Sequence, residues 1–308
     1  MGIVRQFDKS NFQNFIGGVQ VGESVSREGI SVFWLFGQEP SQQLNVATIE
    51  EALSQGYLKF KEQSQATVPT AKVVNRGKSH VLLLGGDIVV GGLQDRVVAK
   101  DYLLTPESKP VDLSVYCVEQ GRWGGERMNF KAGEIIAAPE MRSKMAANCD
   151  QGVVWDSVGN FSKRTGTHSP TYAYRDIYEQ PEVSSHLQEV EKEIDINIAK
   201  GALGAAIFID GDLAGIDIFE DPSLFKREWK KILRASAMAT YGQSPRKRGS
   251  EQLQRKSVEK ILKDAASAEL KSQSNAGTGT ALEFKVGKHL GTALDYKGHI
   301  LHTSIHKA

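Results

Sequence analysis

The chain has 308 residues, with 38 Lys and Arg against 37 Asp and Glu, 40% hydrophobic and 24% charged. That composition fits a folded globular protein and excludes disorder and collagen-like repeats. The length allows two domains, although β-rich folds often occupy this much chain as one unit. A formal net charge of +1 provides no global field to gather nucleic acid or an anionic membrane, so selectivity must come from local sites.

Cys117 and Cys149 are the only cysteines, too few for a disulfide framework and without CxxC spacing for zinc, so the cytoplasm is the compartment expected. Residues 1 to 15 lack the basic stretch and apolar run of a secretory signal. Nowhere do about 18 apolar residues run together, so no transmembrane helix and no membrane partner are expected.

In chain order, the first 45 residues read as short strands and turns, notably Gly29 to Phe36. Thr48 to Glu51 forms a T-x-x-E capping box ahead of a short helix that stops near Gly56. From His80 to Leu104 the apolar runs VLLL, IVV and RVVAKDYLL are broken by glycine pairs, a pattern of paired strands. Val111 to Gln120 alternates with period two, so Val111, Leu113, Val115 and Cys117 face a core. Glu119 continues that series and carries a carboxylate onto the edge of the apolar face, where it must find a cation, strong hydrogen bonds or a proton.

Short helices are predicted over Ala138 to Asn148 and Gln151 to Val158, then a loop over residues 159 to 181 that marks a boundary between lobes 1–160 and 182–308. An amphipathic helix with one acidic face follows, carried by Val183, Leu187, Val190 and Ile194. GAAIFI-DG-DLAGIDIF is a hairpin with a type I′ turn at Asp210-Gly211. Asp221 then caps a helix with Pro222 at its first position and Phe225, Trp229, Ile232 and Ser236 as its stripe. Residues 243 to 263 carry seven Lys or Arg against two Glu, ahead of a helix near Ile261 to Leu270. The closing segment repeats the hairpin's layout, and two such units fit side by side in one antiparallel sheet. The fold class is therefore α+β, with antiparallel hairpin-built sheets, in one compact unit of two lobes.

GGLQDR (Gly91 to Arg96) and VEQGRW (Val118 to Trp123) share a strand, a polar bend with Gly, and an Arg. Glycines permit close backbone approach, Gln94 and Gln120 supply amides, and each Arg offers a planar fork for carboxylate or phosphate. Two readings stay open. Gln94, Asp95, Arg96, Glu119 and Arg122, with Arg142 adding charge, form an anion-binding pocket; or the same groups form an internal ion-pair network closing strand ends. Trp123 either packs under its loop or stacks on a ligand.

His299, His302 and His306 do not converge on one side of a strand, so no metal site is expected. His168 reads as a solvated loop residue and Cys117 as a small buried hydrophobe rather than a nucleophile. The basic run near residues 243 to 256 lacks interleaved aromatics, so nucleic acid is not the expected partner. No P-loop, GxSxG, HExxH or GxGxxG is present, and no cofactor is implied.

GGLQDR, DYLL-TP and P-V-D-L-S-V-Y-C-V-E-Q-G-R-W together resemble the ARG and rhodanese-phosphatase-superfamily-associated protein domain family. Arg142 in PEMRSKM, QGVVW at 151 to 155, SPTYA at 169 to 173, the IFIDGDLAGIDIFED-helix-W pattern and the hairpin with His302 extend the likeness along most of the chain. The family is named for the ADP-ribosylglycohydrolases and rhodanese-like phosphatases it accompanies. The resemblance therefore implies an ADP-ribose, nucleotide or phosphate-bearing small-molecule ligand and assigns no catalytic residue. The alternatives are a hydrolase of an ADP-ribose or phosphate ester with Glu119 or Asp95 as general base, and an interaction module using the acidic helix at 182 to 195 or the basic tract.

Overall fold

A computed structural model describes residues 8–40, 42–61, 69–122, 130–243 and 249–308. Its elements in chain order are α1 (Lys9–Gly17), β1 (Gln20–Arg27), β2 (Ile30–Phe36), β3 (Val46–Ala47), α2 (Ile49–Ser54), β4 (Leu58–Lys61), β5 (Thr70–Asn75), β6 (His80–Leu83) and β7 (Asp87–Val90). They continue with β8 (Arg96–Val98), β9 (Tyr102–Leu104), β10 (Val111–Cys117), β11 (Lys131–Ile136), α3 (Pro139–Ala146), α4 (Gln151–Thr165), α5 (Tyr174–Glu179) and α6 (Pro181–Glu193). The chain ends with β12 (Gly204–Ile209), β13 (Asp212–Phe219), α7 (Pro222–Thr240), α8 (Glu251–Ala266), β14 (Lys271–Gln273), β15 (Thr280–Val286), β16 (His289–Tyr296) and β17 (His299–Lys307).

The architecture is α+β. An eight-stranded sheet runs β1-β2-β12-β13-β17-β16-β15-β14, a six-stranded sheet β11-β7-β8-β10-β5-β4, and a three-stranded sheet β3-β6-β9. All these pairings are antiparallel except β3 with β6. The large sheet is assembled from hairpins whose two turn residues both have positive φ: Glu28-Gly29, Asp210-Gly211 and Lys297-Gly298. Such turns match the right-handed twist of the strands they join, which makes them compact hairpin closures. The β12–β13 and β16–β17 hairpins lie side by side through Ile216↔Ile305 and Phe219↔His302, the arrangement their shared layout predicts.

One face of this sheet buries Phe33, Ile216 and Ile305 against Phe12 of α1 and Val258 of α8. The other face buries Trp34 and Phe219 against Phe225 and Trp229 of α7, with Trp34 and Trp229 centred 4.7 Å apart. Because both faces are covered, β2 is apolar at nearly every position rather than alternating. The smaller sheets close a third core around Val73, Leu83, Val89, Val98 and Leu113.

Several expectations need correction. The lobes are not sequential, because residues 20–36 form β1 and β2 and pair with β12 of the later hairpin. The boundary loop over residues 159–181 is largely helical: α4 runs on to Thr165 and α5 begins at Tyr174. The opening strand region contains α1, capped by Asp8 and buried through Phe12 and Ile16. Helix α8 starts at Glu251, ahead of the predicted Ile261, and Arg255 within it donates to the Val21 and Gly22 carbonyls, covering the β1 edge. The predicted caps at Thr48 and Asp221 are formed.

Helix α7 is fixed to the smaller sheets by a buried charge. Lys231 Nζ lies 2.6 Å from Asp87 of β7, 2.6 Å from Glu228 one turn back, and 2.9 Å from Glu50 of α2. Burial pushes Glu228 up to about 8 and Asp87 up to about 6, with Lys231 pulling both the other way. Replacing Lys231 by Met leaves these carboxylates without their cation, so the unfolding free energy should fall by about 3 kcal/mol or more at pH 7.5. Raised carboxyl pKa values mean that the cost of ionisation grows as pH rises from about 4. Urea unfolding should therefore show a smaller deficit at pH 5, and a loss under 1 kcal/mol at pH 7.5 would contradict this reading.

Candidate functional site

The two glycine-bearing corners meet. Beyond β10 the chain stays extended, with the Val118 amide donating to the Asp95 carbonyl and the Tyr174 amide donating to the Val118 carbonyl. Glu119 bridges to Ala173, and the Gly121 amide donates to the Thr171 carbonyl, so SPTYA lies against VEQGR like an added strand. Residues some 50 positions apart are thereby brought to the end of β8.

Within this corner, Arg122 holds two carboxylates with one nitrogen, 2.6 Å from Glu119 Oε2 and 3.0 Å from Asp95 Oδ1. It also donates to the Gly92 carbonyl at 2.6 Å. Glu119 accepts from the Asp95 amide at 3.1 Å and the Thr171 hydroxyl at 2.8 Å. Gln94 donates to the Glu119 carbonyl, and the Cys117 thiol donates to the same oxygen. Burial pushes Glu119 upward, but the bonds from Arg122 and Thr171 outweigh it and hold the carboxyl below its ordinary value. Burial, reinforced by the neighbouring Glu119 charge, pushes Asp95 up to about 6.

Gln94, Asp95, Glu119 and Arg122 therefore converge as the sequence predicts. Arg96 sits buried on β8 opposite Cys117. Arg142 belongs to a different cluster. Side chains of Asp95 and Glu119 are 0% and 2% exposed, so neither presents an open oxygen to a substrate. General-base hydrolysis by either residue needs such an opening. Trp123 lies outside the described residues.

The opening beside the corner is a cleft of about 690 Å³ bounded by β11, α5, α6 and α7. Gly91 and Arg175 link the corner to it, and Lys131, Tyr178, Leu187 and Arg234 complete much of its wall. Arg175 is the residue that sequence reasoning missed. It follows SPTYAY by one position, and the predicted loop there concealed the first turn of α5. Its guanidinium lies 3.5 Å from Asp95, 3.6 Å from Asp176 and 3.5 Å from Glu179, near three carboxylates but without a tight fork to any of them. Four buried polar atoms in this region lack a hydrogen-bond partner: Gln94 Oε1, Asp95 Oδ2, Arg122 Nε and Arg175 Nε.

A second ionic cluster lies between the large and small sheets. Arg142 of α3 grips Asp217 of β13 through two nitrogens at 2.6 and 3.0 Å and donates to the Gly85 carbonyl. His302 of β17 contacts Asp217 at 3.1 Å through Nε2 and Asp101 at 2.6 Å through Nδ1. Burial alone would lower His302, but Asp101 and Asp217 together raise it to about 9, so the ring is an imidazolium at neutral pH. His299 turns instead to Glu220 at 2.9 Å, and no metal-ligating cluster occurs among the described residues. His168 is exposed. Residues 244–248 of the basic tract lie outside the described residues, while on α6 Glu191 is engaged by Lys230 and Arg234 of α7.

The chain matches the family model of the ARG and Rhodanese-Phosphatase-superfamily-associated Protein domain over residues 18–306. It belongs to that family. No curated protein and no solved structure matches it. Several segments carrying the family likeness meet in the two clusters just described: GGLQDR, VEQGR and SPTYA build the closed corner, while Arg142, Asp217 and His302 build the ionic link between sheets. No helix among the described residues is long and apolar enough to cross a membrane.

A histidine whose pKa is raised on folding contributes stability that is complete below about 6.5 and disappears as pH rises through about 9. The unfolding free energy should drop by roughly 3 kcal/mol over that window on this account. His302→Gln should be less stable than the parent at pH 6 and show a shallower decline between pH 6.5 and 9. Equal slopes in chemical denaturation would contradict the buried imidazolium.

Proposed function

We propose that the protein binds a small phosphate-bearing molecule, of nucleotide or ADP-ribose size, in the cleft bounded by β11, α5, α6 and α7. The partnerless Arg175 Nε at the cleft wall, with the partnerless Arg122 Nε in the corner behind it, carries this reading. Buried polar atoms are normally hydrogen-bonded, so a group of unsatisfied ones beside an opening marks a place where a partner is missing. Arg175 presents the cation. With only loose contacts to its carboxylates, it can turn toward an incoming phosphate and make the paired N–H contacts that a planar guanidinium provides. Arg234 and Lys131 add positive charge to the wall, and a cleft of about 690 Å³ falls within the size range of small-molecule sites.

In this arrangement Arg122, Asp95 and Glu119 brace the corner. The closed carboxylates orient the arginines, and Asp95, already pushed up to about 6, can take a proton as an anion arrives. The family's association with ADP-ribosylglycohydrolases and phosphatases supports the ligand class. The reading is one of binding, with no reaction assigned.

Thermal unfolding with inorganic phosphate, ADP and ADP-ribose tests it. A ligand at about ten times its Kd adds about 1.4 kcal/mol, a Tm rise of about 2 °C or more for a chain this long. At least one probe should produce such a rise, and Arg175→Ala should remove it while leaving the unliganded Tm within a few degrees. No response to any probe, or an undiminished response in Arg175→Ala, would sink the proposal.

A further inference from the structure

Helix α8 begins where β16 starts, β17 ends and the β12–β13 hairpin turns. A cavity of about 260 Å³ lies among them, with Gly211, Ser250, Gln254, Lys288, His289 and Lys307 contributing to its wall. It shares no lining residue with the cleft discussed above.

The helix start is an uncapped set of donors. Over the 16 residues of α8 the aligned peptide dipoles leave partial positive charge at its first turn. The Ser250 side chain accepts no hydrogen bond from that turn. The Gln254 amide donates to the Ser250 carbonyl, and among the described residues the Glu251, Gln252 and Leu253 amides meet no acceptor. Glu251, the carboxylate of the first turn, accepts from the Ser24 hydroxyl of β1 at 2.8 Å and is not part of the cavity wall.

Gln254 brings a side-chain donor to the same place. The residue is 5% exposed, and its Nε2 is buried with no hydrogen-bond partner. A Cβ at Gly249 would lie 3.0 Å from Nε2, so the amide reaches back past the first helical residue, the direction in which helical side chains tilt. The same Cβ would lie 3.3 Å from Gly211 Cα, and neither glycine places a side chain between the helix start and the hairpin turn. A buried N–H without an acceptor is rare and costs free energy, so this one marks where an acceptor is missing.

The opposite wall is cationic. Lys288 precedes β16, and Lys307 pairs in register with His289. Burial lowers the His289 pKa and the Lys288 and Lys307 charges push it the same way, so both ammonium groups stand near that ring. Asp212 is the one carboxylate on the wall among the described residues. Two lysines against one carboxylate, added to the helix start and the Gln254 amide, leave the cavity short of negative charge. Its volume lies below the roughly 300 to 1,000 Å³ of sites that enclose a whole drug-sized ligand, which suits a single head group.

We infer that this cavity binds the oxyanion group of a small molecule, a carboxylate or a phosphate monoester, which accepts hydrogen bonds from Gln254 Nε2 and the first-turn amides of α8 while Lys288 and Lys307 balance its charge.

Selective ¹⁵N-glutamine labelling of the full chain gives a local readout, because the Gln252 backbone amide and the Gln254 side-chain amide both belong to the site. Their signals are identified by their absence from Gln252→Ala and Gln254→Leu. Inorganic phosphate and acetate are the probes, with sodium chloride at matched ionic strength as comparator. At least one oxyanion should move both signals saturably while chloride does not, and which oxyanion acts separates phosphate from carboxylate ligands. The response should persist in Arg175→Ala, which removes the cleft's cation and so keeps the two sites distinguishable. Gln254→Glu puts a carboxylate of nearly the same shape in the anion's place and should abolish the movement of Gln252. Lys288→Gln combined with Lys307→Gln should weaken binding roughly threefold or more. A saturable response to neither oxyanion, equal movement with chloride, an undiminished response in Gln254→Glu, or unchanged affinity without the two lysines would overturn the inference. The wild-type titration decides even if a variant does not fold.

Discussion

Buried charge that is paired across elements distant in sequence is the constraint on which this structure depends. Desolvating an ion costs several kcal/mol, so each buried ion must lie where an opposite charge and hydrogen bonds meet it. Arg142, Asp217, His302 and Asp101 satisfy that requirement only when α3, β13, β17 and the β8–β9 connection are docked together. The cluster thus specifies how the large sheet sits against the small ones more sharply than apolar burial, which tolerates sliding. Lys231 does the same for α7, and Arg122 for the corner that joins GGLQDR to VEQGR.

Paired groups and unpaired groups then separate by role. Most of the buried arginines and carboxylates engage each other, and this is why Glu119 and Asp95 are poor candidates for open chemistry despite their position at a strand end. Among the polar atoms that the fold buries without a hydrogen-bond partner are those around Arg175, beside the cleft bounded by β11, α5, α6 and α7. The Arg175 guanidinium there is loosely held, which is the basis of the anion-binding proposal.

Local rules made much of the architecture legible. The two-residue Asp210-Gly211 turn, the Thr48 capping box and the Asp221-Pro222 start all depend on neighbouring residues, and each forms where the sequence places it. The period-two pattern of β10 put Glu119 at the edge of a core and led to its partner Arg122. Long-range assembly was less accessible. Nothing local in GISVFWLF says that β2 pairs with β12, some 170 residues on, since a strand apolar on both faces fits any central position. Asp217 drew no attention and His302 was weighed only as a metal ligand, because each looks like an ordinary strand polar residue until Arg142 and Asp101 are seen beside them. Arg175 was obscured by a Ser-, Thr- and Gly-rich stretch whose composition signals loop, although tertiary packing of Tyr174, Ile177 and Tyr178 makes it helical.

A double-mutant cycle on Arg142 and Asp217 probes the founding constraint most directly, with unfolding free energies measured for Arg142→Met, Asp217→Leu and the pair together. Each single change strands an ion and should cost about 3 kcal/mol or more, whereas the double removes both and should cost at least about 2 kcal/mol less than the sum. Additive losses agreeing within about 0.5 kcal/mol would show that these charges do not depend on each other, and the account of how the sheets are held together would fail.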